Sequence, residues 1–219
     1  MNKKVCFFLF LIFFSFKIFG EGTFAAEIPF GEYKAVIQNN DRYKYSVLIM
    51  KGNEEICKTD TGIDFSPVFY YADDRYFILQ IKGENHYLRG FLIYDAQENR
   101  FSRHWTQETW ITQFLVKDGK LFYACHIVET PNSSYYIYDL SAQKLIFFYE
   151  AVIDGRRNFF EGDIRTVFRD SGTYLYFENT KIGGYKTFLV DGTKLVPSAL
   201  PKDKPFSETD RYDNPKLEF

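Results

Sequence analysis

Two tryptophans and an arginine within eight residues are the first candidates for binding chemistry in this chain. Arg103, Trp105 and Trp110 lie in the segment 103–110, which holds both tryptophans of the sequence. On a loop at one face of a scaffold, two indole rings could form a platform for a sugar or a peptide, with Arg103 and Glu108 clamping its polar groups. The other interpretation is that both rings pack between adjacent sheets, where large aromatic side chains fill the wedge.

A second group of candidates lies in the irregular stretch 154–163. Arg156 and Arg157 in this stretch could hold an anionic ligand. Three of its carboxylates could bind calcium, but their spacing matches no known calcium loop: Asp154, Glu161 and Asp163. Loops of this length on a rigid scaffold are often functional, and a solvated loop is the default interpretation.

No catalytic or metal-binding motif is present in the sequence. His86, His104 and His126 are not at ligand spacing, and no carboxylate accompanies them in a metal pattern, so we expect structural histidines. The sequence has neither a Gly-x-Ser-x-Gly elbow nor a glycine-rich phosphate loop. A glycosidase-like carboxylate pair stays open as an alternative, because its defining separation is three-dimensional. We therefore expect a non-enzymatic protein with no cofactor and no metal.

The elements that must position these residues are predicted to be short β-strands. Tyr, Phe, Val, Ile and Thr dominate the chain after residue 25, and turn signals interrupt the apolar blocks every eight to twelve residues. Hairpins with aspartate at the turn recur in two series. The first series comprises residues 36–43, 68–76, 114–121 and 167–174. The second comprises residues 91–101, 135–145 and 187–195.

The two series advance along the chain by the same intervals. The first interval is 44 residues in both, from Asp74 to Asp118 and from Asp95 to Asp139. The next is 52 residues in both, to Asp170 and to Asp191. A shared change of spacing indicates a true repeat, and a unit of about 44 residues with four short strands has the size of a propeller blade.

The second hairpin of this unit carries a resemblance to a known class of repeat. The segment 138–145, Tyr-Asp-Leu-Ser-Ala-Gln-Lys-Leu, resembles the outer hairpin of bacterial β-propeller repeats, with Gln143 and Asn99 standing where glycine is usual. The resemblance covers residues 33–199 in outline. It implies an all-β fold of antiparallel sheets in about four propeller-like blades, and it implies no activity. The first unit lacks the Tyr-Asp hairpin and is predicted to be one strand short. An open β-meander or an antiparallel β-barrel is therefore the alternative.

The two ends of the chain differ from the repeat region. Residues 1–25 are typical of an export signal: Lys3 and Lys4 precede the apolar run Val5–Phe16, which is too short to span a bilayer. Cleavage is expected after Ala25, with Gly22 as the alternative, and an uncleaved membrane anchor is the rival interpretation. The β-repeat domain is then 26–199, and residues 200–219 form an extended tail.

Charge and cysteine content limit the partners and the compartment. The formal net charge is −2, and it becomes −4 without the signal, which gives no electrostatic case for nucleic acid. Cys57 and Cys125 remain, and export would allow a disulfide between them. We expect a periplasmic or extracellular, non-enzymatic protein that binds a protein or glycan partner of the bacterial envelope. The alternatives are a hydrolase of envelope polysaccharide or peptide and a unit that assembles through its edge strands.

Overall fold

Ten stretches of the chain are described by the computed structural model. They are residues 23–41, 44–63, 69–82, 89–106, 110–126, 133–150, 164–169, 171–179, 184–192 and 194–199. The predicted signal up to residue 22, the tail 200–219 and the stretch with Arg156 and Arg157 lie outside them. No helix in the described part of the chain is long and apolar enough to span a membrane.

Sixteen β-strands and no α-helix are present in the described residues. The first eight strands are β1 (Thr23–Phe30), β2 (Tyr33–Asp41), β3 (Lys44–Lys51), β4 (Glu54–Ile63), β5 (Tyr70–Ala72), β6 (Tyr76–Lys82), β7 (Arg89–Asp95) and β8 (Arg100–Trp105). The other eight are β9 (Trp110–Lys117), β10 (Lys120–His126), β11 (Ser133–Asp139), β12 (Lys144–Glu150), β13 (Ile164–Arg169), β14 (Gly172–Asn179), β15 (Gly184–Asp191) and β16 (Lys194–Pro197).

Each sheet is an antiparallel meander of four consecutive strands. The strand orders are β1-β2-β3-β4, β5-β6-β7-β8, β9-β10-β11-β12 and β13-β14-β15-β16, and we call these the first to fourth sheets. The all-β, blade-like repeat expected from the sequence is thus confirmed, and the described residues form four separate sheets rather than one continuous sheet. Strands of an inner sheet carry apolar residues at successive positions, as Phe91 to Tyr94 do in β7, because both faces of the sheet are covered.

Three apolar clusters hold successive sheets together. The first joins the first and second sheets through residues such as Phe30, Ile49 and Tyr94. The second joins the second and third sheets and includes Phe91 and Tyr123. The third joins the third and fourth sheets, with members such as Phe122, Ile137, Leu175 and Phe188. Among the described residues, no apolar cluster joins the first sheet to the fourth.

The first sheet is complete, so the prediction that its unit lacks a strand is wrong. The missing strand is β1, which pairs with β2 from Thr23↔Asn39 to Phe30↔Tyr33. Its first three residues were assigned to the export signal. The hairpin 36–43 consequently contains the second turn of its sheet. The other hairpins of that series, at 68–76, 114–121 and 167–174, contain the first turn of theirs. The true counterpart of those first turns is Gly31-Glu32, where Gly31 has a φ of 51° and no aspartate is present.

The structure does not form the disulfide considered between Cys57 and Cys125. Both cysteines are thiols. Cys57 is half-buried against the cluster between the first and second sheets, whereas Cys125 is fully buried in the cluster between the second and third sheets. The second sheet therefore separates the two sulfur atoms.

Candidate binding cleft between the third and fourth sheets

Each of the first three sheets has a corner where its first turn lies beside the end of its third strand. In the second sheet this corner is closed by an ion pair: Arg75 donates from Nε and Nη2 to the two carboxylate oxygens of Asp95, at 3.1 and 2.8 Å. The guanidinium carbon also lies 4.7 Å from the ring centroid of Tyr76. Burial raises the pKa of Asp95, but the hydrogen bonds from Arg75 and from the backbone outweigh burial, and the net pKa is lowered.

The first sheet closes its corner in the same way with the charges exchanged. Glu32 occupies the position of Arg75, Lys51 occupies that of Asp95, and their nitrogen and oxygen atoms are 2.6 Å apart. The Lys51 ammonium lies 5.5 Å from the ring centroid of Tyr33, which corresponds to Tyr76. Two sheets thus share one arrangement, an ion pair beside an aromatic ring.

The third sheet has neither the ion pair nor the aromatic ring. Its corner is equivalent to that of the second sheet because one backbone hydrogen bond recurs, from Ala96 N to Arg75 O at 2.9 Å and from Leu140 N to Gly119 O at 3.0 Å. Gly119, which has no side chain, therefore stands where Arg75 does. Lys120 stands where the tyrosines do, because it pairs with Asp139 as Tyr76 pairs with Asp95.

Asp139 uses one carboxylate oxygen to hold its own turn. Its Oδ1 accepts hydrogen bonds from Ser141 N, Ala142 N and Ser141 Oγ at 3.0, 2.9 and 2.8 Å. The bonds from Ala142 and Ser141, with a smaller contribution from the Lys120 charge, lower the pKa of Asp139. Asp139 stays ionised at neutral pH in a structural role.

A cleft of about 360 Å³ opens at this corner, between the third and fourth sheets. Its wall is apolar and belongs largely to the third core cluster: Phe122, Ile137, Ile146 and Val190. Its mouth carries two ammonium groups, Lys117 and Lys120, together with Asp118, and Thr173 and Gly192 complete the lining. The lining of the cleft therefore combines apolar side chains with two lysines and one aspartate.

The ammonium group of Lys117 is held against the fourth sheet. It lies 4.3 Å from the centroid of the Phe168 ring, a cation–π contact that positions the charge without neutralising it. Phe168 in turn packs edge-on against Phe122, with ring centroids 5.5 Å apart. The Lys117 ammonium is therefore fixed beside a pair of packed rings, of which Phe122 lines the cleft.

Arg103 and Trp105 lie elsewhere, on the face of the second sheet that packs against the first. The Nη2 atom of Arg103 donates to Thr59 Oγ1 at 3.1 Å and also to the carbonyl of Asp60, so this arginine ties β8 to β4. Trp105 is 38% exposed, and its ring lies over Gly90. Neither residue contributes to the cleft.

The backbone places the two tryptophans in different sheets. Trp110 begins β9 in the third sheet, which packs on the face of the second sheet opposite to the one that carries Trp105. The side chain of Trp110 lies outside the described residues, as do Arg156 and Arg157. The binding site predicted from Arg103, Trp105 and Trp110 therefore stays a prediction. Of its described side chains, Arg103 contacts the first sheet and Trp105 lies over Gly90 of the second.

His104 occupies a buried aromatic layer between the second and third sheets. Its Nε2 lies 2.7 Å from Tyr123 Oη, and its ring stacks on Tyr138 with centroids 4.1 Å apart. Burial lowers the pKa of His104 to about 4 and raises that of Tyr123. Because the half-buried imidazole is neutral at physiological pH and stacks on an aromatic ring, it acts as a packing residue with a satisfied hydrogen bond.

The architecture has a counterpart among solved structures. Over 82% of this chain the fold is similar to a structure reported as "The beta-propeller domain of the Trilobed protease from Pyrococcus furiosus reveals an open velcro topology", with a TM-score of 0.52 and 10% sequence identity. The similarity covers 57% of that chain, so the present chain spans less than two thirds of its length. At this identity the likeness shows a propeller-like fold and nothing about activity.

A second similar structure is that of an uncharacterized protein from Listeria monocytogenes EGD-e. The match covers 81% of the present chain and 69% of the Listeria protein, with a TM-score of 0.30 and 12% identity. No family model matches the sequence, and no curated protein does.

Lys117 and Lys120 were missed by the sequence analysis, although a signal was present. Both residues flank the Asp118-Gly119 turn that was identified as a hairpin. A comparison of equivalent positions, Tyr33, Tyr76 and Lys120, would have shown a lysine in place of an aromatic ring. That comparison requires the correct strand register of the first sheet, which the sequence analysis placed one strand too late.

Proposed function

We propose that this chain is an exported, non-enzymatic binding protein of the bacterial cell envelope, and that the cleft between the third and fourth sheets is its binding site. One observation carries the proposal: the corner that ion pairs close in the first and second sheets is open in the third and lined by two lysines. The packed sheets supply a rigid frame on which such a site keeps its shape.

The amino-terminal sequence supports export. It has the charged, apolar and small-residue regions of an export signal, and β1 overlaps only the last three residues of that predicted signal. We therefore expect the mature chain in the periplasm or outside the cell. Fractionation of a bacterial host that expresses the full chain tests this expectation, and a chain that keeps its full mass in the membrane fraction would support the anchored alternative.

Binding is tested by native mass spectrometry and pull-down on the exported protein. We expect a bound partner or ligand that is lost in Lys120→Tyr, because this variant places in the third sheet the residue that the first and second sheets have there. Lys58→Tyr, on the exposed part of β4, is the matched control and should retain the partner. Equal retention by both variants would move the site away from the cleft.

A hydrolase of envelope polysaccharide or peptide is the competing function. The recurring aspartates give it little support, because Asp73, Asp95 and Asp139 accept hydrogen bonds from the backbone of their own turns. Turnover on a panel of glycan and peptide substrates, with no retained partner, would overturn the binding proposal.

A further inference from the structure

We propose that the ligand of this cleft is a small amphipathic anion, a molecule with a carboxylate or phosphate head and a short apolar chain. This inference rests on the proposed function, since it names the ligand class of the same site. The head would bind between the ammonium groups of Lys117 and Lys120. The apolar chain would lie along the wall formed by Phe122, Ile137, Ile146 and Val190.

The two lysines form a like-charge pair. Lys117 and Lys120 are direct partners across the β9–β10 hairpin, and like charges at such positions repel each other. Among the described residues, no carboxylate lies within ion-pair distance of either ammonium. An anion between them would remove the repulsion and gain two charge-assisted hydrogen bonds.

The charges nearest to the pair leave room for such an anion. Asp118 is exposed on the turn between the lysines, and Asp139 commits one oxygen to its own turn. In the first and second sheets, by contrast, a residue of opposite charge fills the equivalent corner. Among the described residues, the ammonium groups of Lys117 and Lys120 form no ion pair, so an anionic head could still bind to them.

The apolar wall sets the other half of the specificity. Phe122 and Ile137 are only 6% and 2% exposed, so the apolar surface that a ligand can reach belongs mainly to the half-buried Ile146 and Val190. A volume of about 360 Å³ lies at the small end of the range for ligand sites, which favours a chain of several carbons over a folded polymer. Phosphate or acetate alone would leave this wall in contact with water.

Isothermal titration calorimetry with five probes separates the contributions of head and chain. Octanoate and octyl phosphate carry both parts, octanol carries the chain alone, inorganic phosphate carries the head alone, and octyltrimethylammonium reverses the charge. We expect the two amphipathic anions to bind at least about tenfold more tightly than the other three, with affinity falling as salt is added. The stronger of the two anions would identify the head.

Variants of the lining residues locate the binding. Lys117→Met and Lys120→Met should each weaken the preferred anion about tenfold, whereas the control Lys58→Met should leave its affinity unchanged. Val190→Thr keeps the side-chain shape but adds a hydroxyl, so it should weaken the amphipathic anions several-fold and leave inorganic phosphate unaffected. Thermal unfolding of each variant confirms that its fold is intact.

Two results would overturn the inference. One is that octanol binds as tightly as octanoate, and the other is that both lysine variants bind the anions like the unmodified chain. A ligand that Lys120→Tyr loses in native mass spectrometry, together with no binding of either anion, would refute the ligand class and leave the proposed function standing.

Discussion

Arg75 donates two hydrogen bonds to Asp95 across the corner of the second sheet, and the Asp95 side chain is only 8% exposed. The same corner is occupied by Glu32 and Lys51 in the first sheet and by Gly119 and Asp139 in the third. The corner thus holds an ion pair in the first and second sheets, whereas the third sheet has no ion pair there. The cleft opens at this corner of the third sheet.

Removal of the arginine at this corner should destabilise the fold. In Arg75→Met, the mostly buried Asp95 keeps its backbone hydrogen bond from Gln97 but loses both bonds from the guanidinium. We expect a loss of about 1–2 kcal/mol in the free energy of unfolding, measured by urea denaturation at pH 7. Glu32→Gln is the control, because both partners of that pair are exposed, and its midpoint should not change. Equal effects of the two substitutions would contradict the assignment.

The parts of the fold that depend on local hydrogen bonds could be predicted from the sequence. Aspartate followed by a small turn is recognisable because its carboxylate binds the next backbone N–H groups, as Asp139 does. The turns with Asn99 and Gln143 in place of glycine also follow the expected pattern, and both residues adopt a positive φ, of 48° and 50°. These features specify three of the four sheets.

The first sheet and the cleft could not be predicted in the same way. The first and third turns of the first sheet, Gly31-Glu32 and Gly52-Asn53, contain no aspartate, whereas Asp41 stands at its second turn, so the aspartate pattern predicts the wrong register there. The sequence gives no sign that Lys117 and Lys120 line a cleft. Their role depends on which residues they pair with across strands, and that pairing is known only from the structure. Residues that contact each other between sheets are not separated by a fixed number of positions in the sequence, so no sequence pattern predicts those contacts.

The strand β1 leads to a prediction about the amino terminus of the mature chain. Thr23 and Phe24 pair with Asn39 and Gln38, so a chain that starts at Ala26 loses that end of the ladder. We expect a protein that begins at Thr23 to be about 1 kcal/mol more stable than one that begins at Ala26. Denaturation of the two purified forms provides the comparison, and identical midpoints would show that the end of β1 adds nothing to stability.

Gly90 should tolerate no side chain, because β8 lies directly against it. A Cβ atom there would lie 2.6 Å from the carbonyl oxygen of His104 and 2.7 Å from Cε3 of Trp105. We expect Gly90→Ala to cost about 2 kcal/mol, since backbone must move. Gly52→Ala is the matched control: it has a φ of 60° with nothing within 4 Å, and should cost only about 1 kcal/mol. A larger loss at Gly52 would contradict the close approach of β7 and β8.

His104 should make the stability depend on pH between about 4 and 6.5. Burial lowers its pKa to about 4 in the folded chain, whereas the unfolded chain has the ordinary value near 6.5. In this window the unfolded state binds a proton that the folded state does not, so stability is complete above pH 6.5 and falls as the solution is acidified. Because part of the ring faces solvent, we expect a loss of about 1 kcal/mol between pH 7 and pH 5.

His104→Phe keeps the stacking on Tyr138 and should remove this part of the pH dependence in urea denaturation. The lowered pKa values of Asp95 and Asp139 act only below this window, because they lie under the ordinary aspartate value. An unchanged slope in the variant would show that the pKa of His104 is the same in the folded and the unfolded chain.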